Sequence, residues 1–239
     1  MIASLPMYDR PALRAAHDRF WAALDLGMER TDPDDLWAHW HDPNLLFSQT
    51  CGLPYALGLH KHLTLLGTPD FNLPGCPPGY YNSALVTRGD DTRSDIAEFA
   101  NAPVAFNQSH SQSGWSALFH YAAAREATFS NLIGTGGHTA SVEALLGGTV
   151  DLACVDAHTF RLICHDTPEA RGLRVIDHTL PTPGTPYVTA IPEHAERLRA
   201  KLTATIAGLS PEDRATLDLH GLADVSHEAY LALPIPPDP

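Results

Sequence analysis

Apolar residues recur along this chain in two alternating rhythms. Short contiguous runs give way to runs with helical spacing, and that alternation predicts an α/β fold. Residues 2–5 read as a strand. Pro11 suits a first helical turn, and Leu13, Ala16, Phe20 and Leu24 follow at helical spacing. Asn44-Leu45-Leu46-Phe47 reads as a buried strand ending in the polar loop Ser48-Gln49-Thr50-Cys51-Gly52. Residues 62–66 form a further strand, 67–79 a Pro- and Gly-rich loop, and 81–87 a strand. Residues 93–100 read as a short helix. The apolar run Val104-Ala105-Phe106 then leads into Ser109-His110-Ser111-Gln112-Ser113-Gly114-Trp115, and Trp115, Leu118, Phe119 and Ala122 open a helix. A second glycine loop, Gly134-Thr135-Gly136-Gly137-His138, precedes a helix over 140–146 that stops at Gly147-Gly148. A strand over 151–155 ends at Asp156, before a helix over 157–164 and a strand over 173–176. After a break at 181–184 come a last strand over 187–191 and an amphipathic helix over 192–207. The tail Leu233-Pro234-Ile235-Pro236-Pro237-Asp238-Pro239 is expected to fray.

In α/β sheets ligands collect where strands end and helices begin. Four polar loops here have that character: 48–50, 111–115, 136–139 and Asp156. Tyr8, after the first strand, and Tyr80-Tyr81, after the turn Cys76-Pro77-Pro78-Gly79, flank them with aromatic faces. The set predicts a small-molecule cleft. Ser111, Gln112, Ser113, Gly114 and Trp115 gather hydroxyls and backbone N–H groups at a helix N-terminus, a place that favours an anion. Between Asn101 and Phe160 the only Arg or Lys is Arg125. An anion at this loop is therefore held by neutral donors, with His138 as a further candidate. Asp156 has two readings: a partner for a cation on the ligand, or the N-cap of the helix after it.

Composition narrows the function classes. At 239 residues, 44% apolar and 18% charged, the chain can bury a large core as one domain or two lobes. Its formal net charge of −13, with only two lysines, disfavours nucleic acid and anionic membrane surfaces as partners. No run reaches the length of a membrane span. The first eight residues lack the basic and apolar regions of a secretory leader, so the expectation is a cytoplasmic chain or one whose leader has been removed. No CxxC, GxSxG, GxGxxG or Walker motif is present, and no cofactor is expected. His39-Trp40-His41 and His60-Lys61-His62 would share a face in a strand, but no third ligand lies at a metal-binding distance in sequence. Cys154 reads as buried. Cys51 and Cys76, in turns, are candidates for a disulfide under oxidising conditions.

At these residues the chain resembles the phosphate/phosphite/phosphonate-binding family of ABC importers, with the type 2 periplasmic binding-protein fold. The matching segments are Ser4-Leu5-Pro6-Met7-Tyr8-Asp9, Ser48-Gln49-Thr50-Cys51-Gly52, Gly67-Thr68-Pro69-Asp70, Gly75-Cys76-Pro77-Pro78-Gly79-Tyr80-Tyr81, Ser111-Gln112-Ser113-Gly114, Gly137-His138-Thr139-Ala140-Ser141-Val142 and Asp151-Leu152-Ala153-Cys154-Val155-Asp156. The resemblance implies two lobes, each a mixed sheet flanked by helices, with the ligand between them. Lobe 1 would take residues 1–83 and 181–239, and lobe 2 residues 84–180. It implies that Ser111, Ser113, Gly114 and His138 hold phosphonate or phosphate oxygens, that Asp156 meets a ligand amine, and that Tyr8 with Tyr81 or Tyr80 forms an aromatic wall from lobe 1. It also implies an ABC permease as partner and a periplasmic setting. The leading expectation is a non-enzymatic solute-binding protein. The alternatives are a cytoplasmic enzyme of the same fold, using His138 or Asp156 as acid or base, and a metabolite sensor.

Overall fold

The computed structural model describes residues 1–239. Its strands are β1 (Ile2–Ala3), β2 (Leu45–Gln49), β3 (Thr64–Asp70), β4 (Tyr80–Tyr81), β5 (Ser83–Thr87), β6 (Pro103–Phe106), β7 (Asn131–Gly134), β8 (Leu152–Asp156), β9 (Arg174–His178), β10 (Thr182–Pro183), β11 (Tyr187–Thr189) and β12 (Gly221–Ala223). The chain divides into two compact units. Unit 1 comprises Met1–Tyr80 and Pro183–Leu233; unit 2 comprises Tyr81–Thr182 and Pro234–Pro239.

Unit 1 is built on a sheet ordered β1-β2-β11-β3-β12. β1 and β2 are parallel, while β11 runs antiparallel to both β2 and β3, and β12 antiparallel to β3. The helix Arg14–Leu24 packs here, burying Ala16, Phe20 and Leu24 at the predicted spacing. A core cluster of Trp40, Leu45, Tyr55, Leu59, Val188, Tyr230 and Leu233 fills this unit.

Unit 2 carries a sheet ordered β7-β6-β8-β5-β9, parallel across β7-β6-β8 and antiparallel across β8-β5-β9. Its strands alternate between two apolar clusters. Leu85, Val104, Phe106, Leu152 and Cys154 face one; Ala84, Val86, Ala105, Ala153 and Val155 face the other. Both faces are covered, so these strands read as continuous apolar runs.

Three local expectations change. Residues 67–70, read as loop, extend β3: Gly67 sits at φ 127°, where a Cβ would lie 2.8 Å from Leu222, and Pro69 pairs with Leu222 of β12. Glycine is required at Gly67 on both counts. The histidine pairs do not lie in strands, because His39 is in the helix Leu36–Trp40 and His60 in the 3-10 turn Leu59–Lys61. The His41 and His62 rings do meet, 4.9 Å apart, but no group of three or more metal-ligating side chains forms. Finally, the C-terminal tail is seated on unit 2 instead of fraying. The Trp115 indole N–H donates to the Pro237 carbonyl at 2.6 Å.

Candidate functional site

In unit 2, β6 delivers the chain to Asn107, and a short loop returns it to a helix whose first turn is Gln112–Ser116. Ser111 is the N-cap. Its hydroxyl accepts from the Gly114 N–H at 3.1 Å and from the Asn107 amide at 2.9 Å. The turn is wider than an α-turn, since the Ser116 N–H reaches back five residues to the Ser111 carbonyl at 3.1 Å. Such π-type turns recur at functional sites. The Ser113 carbonyl is tied to the sheet by the Ser83 hydroxyl of β5 at 2.7 Å and the Cys154 thiol of β8 at 3.4 Å. The helix start is thereby fixed against two strands. Burial pushes the Cys154 thiol up to about 12, so it is a proton donor here and not a nucleophile.

His138 completes this cluster from the adjacent β7–helix connection, at the first position of the helix His138–Leu146. Its Nε2 accepts from the Asn107 amide at 3.2 Å and the Ser113 hydroxyl at 2.9 Å. An amide nitrogen can only donate, so Nε2 is the acceptor and the neutral ring carries its proton on Nδ1. That Nδ1 is buried and has no hydrogen-bond partner. Burial also pushes the His138 pKa down to about 4, so the ring is neutral near pH 7. The outcome is a set of hydroxyl, amide and imidazole groups with one buried donor unengaged and no cationic side chain in its hydrogen-bond network.

Asn107 was not singled out by the sequence. It is the hub of the cluster, and its place at the end of an apolar strand, four residues before Ser111, is the signal that could have found it. It also explains Gly114. A Cβ there would lie 1.7 Å from Asn107 Oδ1 and 2.7 Å from its Cγ.

The other unit 2 candidates take different places. Gln112 and Tyr81 are buried. Trp115 turns into the core between Phe106 and Phe119, with ring centres 5.3 and 5.6 Å away, so its bulk packs the hydrophobic cluster. Asp156 is 2% exposed and caps the helix Ala157–Asp166, accepting from the Thr159 N–H at 2.8 Å. It lies opposite Ser83 in the β5–β8 register, and Ser83 in turn holds the Ser113 carbonyl.

The unit 1 candidates hydrogen-bond among themselves and with neighbouring residues of their own unit. The Ser48 hydroxyl meets Ser4 at 2.8 Å, and Ser4 meets His39 Nε2 at 2.7 Å, all three buried. Gln49 donates to both the Thr185 hydroxyl and its carbonyl. The Thr50 hydroxyl donates to the Cys51 carbonyl at 3.4 Å. Tyr8 holds a left-handed φ of 62°, its hydroxyl accepts from Thr185 at 3.4 Å, and its ring meets Phe71 edge-on at 5.0 Å. The next residue, Asp9, pairs with His17, Arg30 and Arg14 at 3.4, 3.4 and 3.6 Å. The hydrogen bond from His17 and the nearby guanidinium charges hold the Asp9 carboxyl below its ordinary range. Tyr80 is half-buried. No disulfide joins Cys51 and Cys76, both of which carry thiols. No helix is long and apolar enough to cross a membrane.

Residues 60–230 match the model of a family described as ABC transporter, phosphonate, periplasmic substrate-binding protein. No curated sequence matches the chain. Among solved structures, it is similar to a binding-protein component of an ABC phosphonate transporter from Pseudomonas aeruginosa, with TM-score 0.75, 14% identity, and 96% of this chain and 82% of that one covered. It is also similar to PhnD1 from Prochlorococcus marinus in complex with methylphosphonate, with TM-score 0.73, 13% identity, and coverage of 96% and 94%. The periplasmic aliphatic sulphonate binding protein SsuA from Escherichia coli is more distant, with TM-score 0.56, 16% identity, and coverage of 95% and 82%. At these identities the structures establish the two-lobe α/β fold, and the family match covers more than half of the sequence: the chain belongs to the periplasmic substrate-binding proteins of phosphonate ABC transporters.

Proposed function

We propose that this protein captures a small phosphonate or phosphate monoester through the Ser111–Gly114 turn and His138, and passes it unchanged to an ABC permease. The observation that carries this reading is the unengaged, buried Nδ1–H of His138 beside a wide helix turn rich in hydroxyls. A tetrahedral oxyanion offers several acceptor oxygens to such a convergent set of neutral donors. The ligand oxygens would receive the Nδ1–H and N–H groups of the turn, while the Ser113 hydroxyl, whose proton goes to His138 Nε2, would hold the ring in place. Asp156, at the end of β8, suits a ligand that also carries an amine. Tyr8, Ser48, Gln49, Thr50 and Tyr80 of unit 1, and Tyr81 of unit 2, are the remaining candidate ligand residues, on the strength of the family resemblance. Nothing in the proposed role needs chemistry on the ligand, so a bound ligand should be recovered intact.

The test is calorimetric titration with methylphosphonate, 2-aminoethylphosphonate and inorganic phosphate. We expect binding of at least one of them, a raised melting temperature, and loss of both in the Ser113→Ala, Gly114→Pro double variant. Unchanged affinity in that variant would remove the turn from the mechanism. An advantage of the aminophosphonate that disappears in Asp156→Asn would support the amine contact; no such advantage would refute it.

A further inference from the structure

The last six residues, Pro234-Ile235-Pro236-Pro237-Asp238-Pro239, are each either a proline or the residue before one. Proline fixes φ near −65°, and the residue before it is pushed into the extended region, so this stretch is preset as a polyproline II helix of three residues per turn. Two of its carbonyls, at Pro234 and Pro237, lie three residues apart and therefore on one face. Both are gripped by the helix that begins with the anion turn. The Trp115 indole donates to the Pro237 carbonyl at 2.6 Å. His120 Nε2 and the Ser116 hydroxyl donate to the Pro234 carbonyl at 3.2 and 3.4 Å. The groove side is fixed in place, with Trp115 only 4% exposed and set between Phe106 and Phe119. The segment itself stays outside: Ile235 is 59% exposed, so main-chain carbonyls hold the tail and apolar burial does not. An aromatic N–H donated to a carbonyl of a preset proline helix is a chemistry that recognises proline-rich chains with little ordering cost.

We propose that the Trp115–Ser116–His120 face of unit 2 is a polyproline-reading groove, filled in cis by residues 234–239 as a releasable latch. Leu233 is buried in the unit 1 core, so the latch hangs from a fixed point and docks at high effective concentration. The partner class this face fits is a proline-rich segment with carbonyls three residues apart, and the resident one is the chain's own.

The experiment compares the full chain with a chain ending at Leu233, following the Trp115 indole N–H by NMR after assignment with Trp115→Phe. Truncation should shift that resonance and speed its exchange with solvent. The peptide Leu-Pro-Ile-Pro-Pro-Asp-Pro, added to about 5 mM, the order of concentration a tethered segment experiences, should restore it. Trp115→Phe in the truncated chain should weaken peptide binding about five-fold, the loss of one ordinary hydrogen bond. The full-length Pro236→Gly, Pro237→Gly variant keeps every carbonyl but loses the preset helix, and its indole exchange should also quicken. An indole signal identical in the full and truncated chains, or in the full chain and the double-glycine variant, overturns the latch. Failure of the peptide to restore the signal overturns the groove. No anionic ligand is needed, so the outcome is separate from that of the phosphonate reading.

Discussion

Each unit begins a helix just after a polar strand end, with Gly114 in the first turn in unit 2 and Gly52 in the first turn in unit 1, yet the polar groups of the two places are bonded differently. Around Gly114 the side chains converge on one another and leave the His138 Nδ1 donor unengaged. Around Gly52, Ser48 bonds to Ser4, Gln49 to Thr185 and Thr50 to Cys51, so the strand end is knitted into its own unit. Similar residue types, at similar places in the topology, leave a buried donor unengaged in one unit and are hydrogen-bonded within their own unit in the other. What separates them is whether a donor is left over, and that depends on partners distant in sequence.

Four measurements test this contrast. The largest effect is expected from the two glycines themselves. Gly114→Ala drives a Cβ into Asn107 and should cost about 3 kcal/mol in denaturant unfolding, whereas at Gly52 the nearest atom to a Cβ is Leu233 Cδ1 at 3.1 Å, with the Pro183 carbonyl at 3.4 Å, and Gly52→Ala should cost about 1 kcal/mol or less. Equal costs would erase the distinction. Next, Ser4→Ala leaves the buried His39 and Ser48 without their shared partner. It should cost about 1–2 kcal/mol while methylphosphonate affinity is unchanged, and a parallel loss of affinity would make unit 1 receptive after all.

The third measurement is pH. Burial lowers the pKa of His138, to about 4, and also that of His39. The unfolded chain binds protons at these histidines near pH 6.5 while the folded chain does not, so their contribution to stability is full above that pH and is lost as pH falls toward 4. His138→Asn should flatten the stability–pH slope in this window, and an unaltered slope would mean that the ring is not held neutral. The smallest effect is at the cysteines. With no disulfide present, dithiothreitol should leave the melting temperature unchanged, and a drop would reveal a Cys51–Cys76 bond.

The α/β alternation was legible because the unit 2 strands are covered on both faces and so stand out as unbroken apolar runs. Ser111, Ser113, Gly114 and His138 could be proposed together because two glycine-marked loops each follow a strand. Asn107 escaped because a single polar residue at a strand end carries no pattern; its importance comes from Ser111 and His138 converging on it. Residues 67–70 escaped because Gly67 and Pro69 are ordinary loop markers, and only the packing of Leu222 over Gly67 turns them into strand. The tail misled for the same reason. Proline richness usually marks a solvated end, and the donor that holds it, Trp115, lies 122 residues away in sequence.

The absence of a cationic side chain from the His138 network has a kinetic corollary. A chain with net charge −13 repels an anionic solute over roughly a Debye length of about 8 Å at physiological salt, and the hydrogen bonds of His138, to Asn107 and Ser113, bring in no lysine or arginine to offset that field. Association with a phosphonate should therefore speed up as ionic strength rises, the reverse of an electrostatically steered encounter. Dissociation, governed by short neutral hydrogen bonds, should hardly respond to salt.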